Sequence, residues 1–168
     1  MNEHLSKANK STLDDLNKIQ NYIELDWTGF DNNLIKTSNS LPIVSCGYVG
    51  CSAIILFSEN KIVSLAHMLT ITHKNQVNEY LDDMIKEIKK LSNSINEIKA
   101  VIIGGKGVKE SLEVCKTYNI EVLNTFEFSN EAHRDILVFP QTYEFKLYLP
   151  DSTYSWNIKQ PSKLKKLN

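Results

Sequence analysis

The sequence predicts an α+β fold in which a strand-rich core is covered by two or three helices. Short segments dense in Val, Ile, Leu and Phe recur between residues 42 and 149, and their lengths are typical of strands. Two longer segments instead space their apolar residues along one helical face. The 168 residues, 42% of them hydrophobic, can fill one core, so we expect a single domain over 1–168.

The first part of the chain is predicted to contain one helix between two irregular segments. Residues 1–10 show no periodic pattern, and we expect them to be disordered. Ser11 and Asp14 form a pattern typical of a helix start, and apolar residues follow at helical spacing, which predicts a helix over 12–24. The Asn-, Ser- and Thr-rich stretch 28–41 is predicted to be a loop.

After this loop the pattern is that of alternating strands and helices. Segments 42–46, 51–58 and 61–68 are predicted strands, and the last two form a hairpin because a short polar connection separates them. The polar, basic stretch 150–168 is predicted to be a C-terminal tail. The remaining predicted elements are helices over 75–93 and 107–118 and strands over 98–105, 120–126, 134–140 and 143–149.

Composition excludes several classes of function. The formal net charge of -1 gives no basic surplus, so nucleic acid is not an expected partner. No apolar stretch approaches the roughly 18 residues of a membrane span, and the polar N-terminus does not resemble a signal peptide. We therefore expect a cytoplasmic protein without membrane insertion, although export as an effector stays open. Three cysteines indicate free thiols, with Cys115 on the inward face of a helix.

The segment from Ser45 to His67 holds the candidate chemistry. Cys51 follows a Gly-Tyr-Val-Gly loop, and His67 ends the next strand sixteen positions later. A hairpin turn centred on Glu59 would place these two residues directly opposite each other, with Cβ atoms about 4.5–5.5 Å apart. The imidazole could then take the thiol proton. This register requires a three-residue loop or a bulge, since a two-residue loop would turn His67 to the other face.

Neighbouring residues are candidates for supporting roles. Gly47 and Gly50 allow a tight turn in front of Cys51, so that main-chain N–H groups, in a loop that ends at Ser52, could bind a developing oxyanion. Ser45, six residues before the cysteine, is the candidate that orients the imidazole. Composition alone favours a plainer interpretation, because a cysteine in an apolar hairpin is usually a small buried hydrophobe.

A zinc module is a different hypothesis for the same segment. Cys46, Cys51, His67 and His73 fall close to the spacing of Cys2His2 sites. Against it, the two histidines would have to share a helix, whereas His67 ends an apolar strand. Cys46 is also the one rival nucleophile, and His73 and His133 are expected in surface loops.

The residues of this segment resemble the CheD family, the chemoreceptor glutamine deamidases. In that family a Thr stands six positions before a Gly-Ser-Cys-Val/Thr-Ala element, and an Ala-His-x-Met/Leu element follows a hairpin. The Gly-Cys hairpin is also similar to that of the cytotoxic necrotizing factor catalytic domain and related bacterial toxins, which deamidate host glutamines. The similarity covers 42–149, and the matching positions are Ser45, Gly50–Ala53, Ala66–Met68, Ala100–Gly105, Ile120–Leu123 and Arg134–Phe139.

The resemblance implies a layered β-sheet sandwich flanked by two or three helices and a protein-glutamine deamidase that needs no cofactor. It implies that Cys51 attacks the glutamine carboxamide, that His67 is base and acid, and that Ser45 takes the place of the orienting Thr. The substrate would be a chemoreceptor-like protein in chemotaxis or a host protein attacked by an effector toxin, and a regulatory protein partner is open. A catalytically inactive binding domain of the same fold is the alternative.

Overall fold

A computed structural model describes residues 5–25, 34–69, 73–92, 97–128, 133–161 and 164–167. The fold is mixed α+β, with two sheets and three α-helices in the described part of the chain. The helices are a 3-10 helix at Leu5–Lys7, α1 at Lys10–Leu16, α2 at Lys74–Leu91 and α3 at Val108–Thr117. The strands are β1 at Ile23–Glu24, β2 at Ile35–Ser38, β3 at Ile43–Tyr48, β4 at Ser52–Ser58, β5 at Val63–Met68, β6 at Ile98–Gly104, β7 at Glu121–Glu127, β8 at Arg134–Phe139, β9 at Glu144–Leu149, β10 at Ser152–Asn157 and β11 at Lys165–Leu167.

The strands form one sheet of six and one sheet of five. The six-stranded sheet has the order β1-β3-β8-β9-β10-β11, and the five-stranded sheet has the order β2-β5-β4-β6-β7. The pairs β1 with β3 and β6 with β7 are parallel, and all other neighbours are antiparallel. Because β3 and β4 belong to different sheets, the short connection between them, which carries Cys51, crosses from one sheet to the other.

Three clusters of buried side chains divide the molecule into four layers. The N-terminal core joins the 3-10 helix and α1 to the outer face of the six-stranded sheet, through Leu5, Leu16, Val44, Cys46, Leu137 and Tyr148. The inter-sheet core joins the two sheets and includes Tyr48, Ala53, Leu65, Val101, Ile136, Phe145 and Trp156. The helical core joins the five-stranded sheet to α2 and α3 and includes Ile54, Met68, Leu81, Met84, Ile102 and Cys115.

The N-terminal region differs from the sequence prediction in two respects. The helix expected over 12–24 ends at Leu16, and Ile23 and Glu24 form a strand instead. Ile23 and Leu25 donate main-chain hydrogen bonds of 2.8 Å to the segment that begins β3, and both side chains pack on the inter-sheet core, which is the two-residue spacing of a strand. Leu5 lies in the N-terminal core, inside the segment expected to be disordered.

The predicted loop 28–41 contains strand β2, and residues 28–33 lie outside the described residues. The predicted C-terminal tail is also folded, because it supplies β10 and β11. Trp156 is 1% exposed in the inter-sheet core, and its Nε1–H donates to the Pro161 carbonyl at 3.0 Å. Burying an indole removes a large apolar area from water, so this polar segment is held in the sheet. Across the described ranges, no helix has the length and apolar character needed to cross a membrane.

Candidate functional site

The hairpin that carries the candidate residues has a three-residue loop, as predicted, but its centre lies one residue later. Ala53, not Cys51, is directly opposite His67. Moving the centre of the hairpin by one residue shifts the partner of each residue by two positions. Because side chains of a strand alternate between faces with a period of two, His67 keeps the face that it shares with Ala53 and Cys51. The predicted direct opposition is therefore wrong, whereas the predicted common face is correct. Cys51 lies one diagonal step away, just before β4 begins.

The hairpin register is fixed by a tyrosine that lies far away in sequence. The Tyr143 hydroxyl accepts from the Lys61 main-chain N–H at 2.7 Å and contacts the carbonyl oxygens of Ser58 and Glu59 at 2.7 and 2.6 Å. Lys61 itself has a φ of 59°, in the left-handed region. These contacts tie the hairpin turn to the start of β9, which is why the turn is centred on Asn60.

His67 is fully buried on the inter-sheet face of β5, where two side chains fix its ring. Its Nδ1 lies 3.2 Å from the Ser45 Oγ, and this contact joins the two sheets. The Ser45 hydroxyl donates to the Leu25 carbonyl at 3.4 Å. A hydroxyl has one proton, so when Ser45 donates it to Leu25 its oxygen accepts from His67, in the tautomer that has the imidazole proton on Nδ1. The Tyr48 ring stacks on the imidazole, with ring centroids 3.8 Å apart and an interplanar angle of 11°.

A bulge in β3 sets the direction of the loop that leads to Cys51. Ser45 pairs with Ile136 and Tyr48 pairs with Arg134, so β3 has one residue more than β8 between these pairs. Gly47 provides the extra residue with a φ of 80°, which a residue with a Cβ rarely adopts. The bulge turns both Ser45 and Tyr48 to the inter-sheet side, where they contact His67.

Gly50, like Gly47, has a positive φ, of 74°, which is compatible with the tight turn predicted in front of Cys51. The Gly47 N–H already has a partner in this structure. This N–H donates to the Asp135 Oδ1 at 3.0 Å, so it serves to hold the bulge rather than to bind an oxyanion.

Ser52 lies on the opposite side of β4 from the candidate site. It is fully buried, and its hydroxyl makes a short hydrogen bond to the Lys106 carbonyl. Gly104 pairs with Ser52, and a Cβ on this glycine would lie only 2.8 Å from the Ser52 Cα. The Ser52 side chain therefore supports the packing of β4 on β6, and its main chain is what borders Cys51.

Cys51 is half-buried beside the inter-sheet core, close to a positive charge. The Arg134 Nη2 donates to the Cys51 carbonyl oxygen at 3.1 Å. Burial raises the pKa of the Cys51 thiol, and the Arg134 charge and a hydrogen bond from the Val49 main chain partly offset this increase. The thiol is accordingly protonated in neutral solution and needs a base to become a nucleophile.

Cys46, the rival nucleophile, points away from this site into the N-terminal core and is fully buried. Burial raises its pKa strongly, and the carboxylates of Asp135 and Glu24 raise it further. The four residues of the zinc hypothesis are not brought together, because Cys46 lies in a different core from Cys51 and His73 caps α2. Within the described ranges, no three His, Cys, Asp or Glu residues converge as metal ligands would.

Sequence reasoning missed the charged residues around the loop. Arg134 and Asp135 are both fully buried at the start of β8 and face opposite sides of the six-stranded sheet. Tyr80 on α2 is also close to Cys51. Its hydroxyl hydrogen-bonds to the Leu69 main chain, and a negative charge on Cys51 would raise the pKa of Tyr80. An Arg-Asp pair opening an apolar strand was the available signal, because such residues are seldom buried without a specific partner.

Comparison with protein-family models gave no match, and comparison with curated proteins gave no significant match either. The fold and the geometry of the site define the class of the protein: a layered α+β protein with a half-buried thiol beside a buried Ser-His pair.

Proposed function

We propose that this protein is a cysteine-dependent protein-glutamine deamidase, as its resemblance to the CheD family implies. The observation that carries the proposal is the bond from His67 Nδ1 to Ser45, on the face that His67 shares with Cys51. In the tautomer in which Nδ1–H donates to the Ser45 hydroxyl oxygen, Nε2 carries the lone pair and can act as the base.

In the first step, Nε2 of His67 takes the thiol proton, and the Cys51 sulfur attacks the side-chain carbonyl carbon of a glutamine. The tetrahedral intermediate then loses its nitrogen. The imidazolium returns the proton to that nitrogen, so that ammonia leaves and a thioester remains on Cys51. Ser45 is neutral, so it orients the ring without strongly stabilising the imidazolium.

In the second step, Nε2 removes a proton from water, and the resulting nucleophile attacks the thioester. The carbon–sulfur bond breaks, the thiol regains its proton, and the glutamine has become a glutamate. Diagonal neighbours in a sheet have Cβ atoms up to about 7–8 Å apart, so this chemistry requires Cys51 to approach His67 when substrate binds.

The exposed surface around Cys51 suits a protein substrate. Val49 and Leu69 are 52% and 44% exposed, and Leu69 continues β5 just beyond the partner of Ser52. Two apolar side chains beside a half-buried thiol favour a glutamine presented on a polypeptide segment with apolar neighbours. The chemoreceptor-like and host-protein hypotheses both concern a polypeptide substrate of this kind.

Two observations favour a second candidate, a catalytically inactive binding domain of the same fold. The pKa of the Cys51 thiol is raised, and Cys51 is diagonal to His67 rather than opposite it. This candidate predicts binding to a protein partner without any change in its glutamines.

The two candidates are separated by incubating the protein with bacterial and host-cell lysates and measuring Gln to Glu conversion by mass spectrometry. We expect conversion with the wild type and with Cys46→Ala, and none with Cys51→Ala. Ser45→Ala should slow conversion about 10 to 100-fold, Ser45→Thr should be tolerated, and His67→Ala should approach Cys51→Ala.

The matched pair Cys46→Ala and Cys51→Ala controls for the general loss of a cysteine. Conversion that persists in the Cys51→Ala sample would refute the assignment of the nucleophile. Absence of conversion in every lysate, together with a retained partner, would support the binding domain instead.

A further inference from the structure

The start of β8 places a buried guanidinium beside the candidate nucleophile. Arg134 pairs with Tyr48 just after the bulge in β3, so its side chain projects toward the connection that carries Cys51. It is 0% exposed, and its guanidinium carbon lies 5.7 Å from the centre of the Phe128 ring, at a cation–π distance.

The contact with Cys51 is made by the part of Arg134 that carries the charge. The Nη2 donates to the Cys51 carbonyl oxygen at 3.1 Å, and this oxygen belongs to the same residue as the sulfur. The charge therefore lies on the residue that contacts the thiol-bearing Cys51, and because Arg134 is itself fully buried, its charge is screened less by solvent than a surface charge would be. A guanidinium stays protonated at every pH at which the protein would work, so its effect does not depend on titration.

Four groups that can carry charge face the Cys51 thiol from the surrounding elements. They are Tyr48 on β3, His67 on β5, Tyr80 on α2 and Arg134 on β8. Burial raises the pKa of both phenols, so they are neutral in neutral solution. Arg134 is thus the permanent positive charge in this group, and it acts on the thiol in the direction that favours the anion.

We propose that Arg134 is a positioning residue for Cys51. Its guanidinium holds the Cys51 main-chain carbonyl in place and stabilises the thiolate form of the Cys51 side chain. This inference rests on the proposed deamidase function, in which the thiolate forms when His67 takes the thiol proton and persists until the sulfur attacks the carboxamide carbon. Ser45 is neutral and does not stabilise an anion at Cys51, so the guanidinium is the group that offsets the negative charge of the thiolate.

The test measures the reactivity of Cys51 and does not require a substrate. Alkylation of Cys51 by iodoacetamide is followed by peptide mass spectrometry from about pH 6 to pH 11. The variants are Arg134→Met, which removes charge and donors, Arg134→Gln, which keeps an amide donor, and Arg134→Lys, which keeps the charge. Val138→Ala, a cavity variant farther along β8, controls for loss of stability.

We expect Arg134→Met and Arg134→Gln to raise the pH midpoint of alkylation by about one unit or more. Arg134→Lys should restore most of the effect, and Val138→Ala should leave the midpoint unchanged. A folded Met or Gln variant with the wild-type midpoint would overturn the proposal, because a merely structural role for Arg134 predicts that result.

A second measurement uses only the wild type, so it does not depend on the folding of variants. The rate of alkylation by iodoacetate, an anion, is divided by the rate with neutral iodoacetamide, and the ratio is compared with that of N-acetylcysteine amide. A cation beside Cys51 raises the ratio above the reference, and a ratio at or below the reference overturns the proposal.

The two proposals can fail separately. Deamidation by the wild type, together with an unshifted alkylation midpoint in the Arg134 variants, would refute only the role of Arg134. A shifted midpoint without deamidation would refute only the proposed function.

Discussion

Cys46 and Cys51 are five residues apart in sequence but lie in opposite electrostatic environments. Cys46 is fully buried in the N-terminal core, and the nearby Asp135 and Glu24 carboxylates act against ionisation of its thiol. Cys51 is half-buried, and the nearest charge that acts on it is positive. The difference predicts that the two thiols differ in reactivity because of their surroundings, whatever their distance along the chain from a histidine.

Strand β8 produces this difference. Its first two residues, Arg134 and Asp135, face opposite sides of the six-stranded sheet, because successive side chains of a strand alternate. The bulge in β3 also contributes, because it lies between Cys46, which faces the N-terminal core, and the loop that leads to Cys51 on the inter-sheet side. The Arg134-Asp135 dipeptide therefore places a positive charge near the Cys51 thiol and a negative charge near the Cys46 thiol.

The largest expected effect is a difference in labelling rate between the two cysteines of the native protein. Iodoacetamide at neutral pH should label Cys51 at least about a thousand-fold faster than Cys46, because Cys46 reacts only when the structure opens. Peptide mass spectrometry over a time course gives both rates. Cys115, whose pKa burial raises to about 11, serves as a second buried reference.

Labelling of Cys46 as fast as that of Cys51 would contradict the environments described above. Labelling of Cys115 together with Cys46, both slow and with the same rate, would identify global opening as the common route. In urea concentrations beyond the unfolding transition, all three cysteines should react at similar rates, which confirms that the native difference comes from the fold.

The sequence was sufficient for the elements whose pattern is local. Strands β3 to β9, helices α2 and α3 and the common face of Cys51 and His67 follow from short-range periodicity. The centre of the hairpin could not be predicted, because Tyr143, 82 residues from the turn residue Lys61, determines it. The use of the Gly47 N–H was likewise hidden, since its acceptor Asp135 is 88 residues away.

The second prediction concerns Asp135, whose carboxylate holds three segments together. It accepts from the Asn9 N–H at 2.6 Å, the Thr12 hydroxyl at 2.7 Å and the Gly47 N–H at 3.0 Å. Asp135→Ala leaves these three donors, of which the Thr12 hydroxyl is fully buried, without their acceptor and should lower the free energy of unfolding by about 3 kcal/mol. Urea unfolding followed by circular dichroism measures the loss, and Asp151→Asn at an exposed turn is the matched control.

Asp135→Asn tests the same contact with less change in volume. Its amide group offers one acceptor in place of two, so it should also destabilise, by less than alanine does. A loss below about 0.5 kcal/mol for Asp135→Ala, the range of ordinary surface substitutions, would mean that water replaces the carboxylate and that Asp135 does not fix the bulge.

The smallest expected effect is the pH dependence that His133 adds. Its Nε2 lies 3.1 Å from the Asp135 Oδ1, and this hydrogen bond raises the pKa of His133 above its usual value of 6.5. Burial alone would raise the pKa of Asp135, but its hydrogen bonds lower it overall, so the carboxylate stays charged in neutral solution.

A histidine whose pKa is higher in the folded state than in the unfolded state stabilises the fold fully below pH 6.5, and the contribution is lost as the pH rises through the folded value. His133→Gln should therefore cost the most stability near pH 6 and nearly none near pH 9, by urea unfolding at fixed ionic strength. The His133 side chain is 29% exposed, so we expect less than about 1 kcal/mol. In an Asp135→Asn background the same substitution should have no pH-dependent effect, because the partner charge is gone. A cost that grows with rising pH would contradict the assignment of the Asp135 carboxylate as the partner of protonated His133.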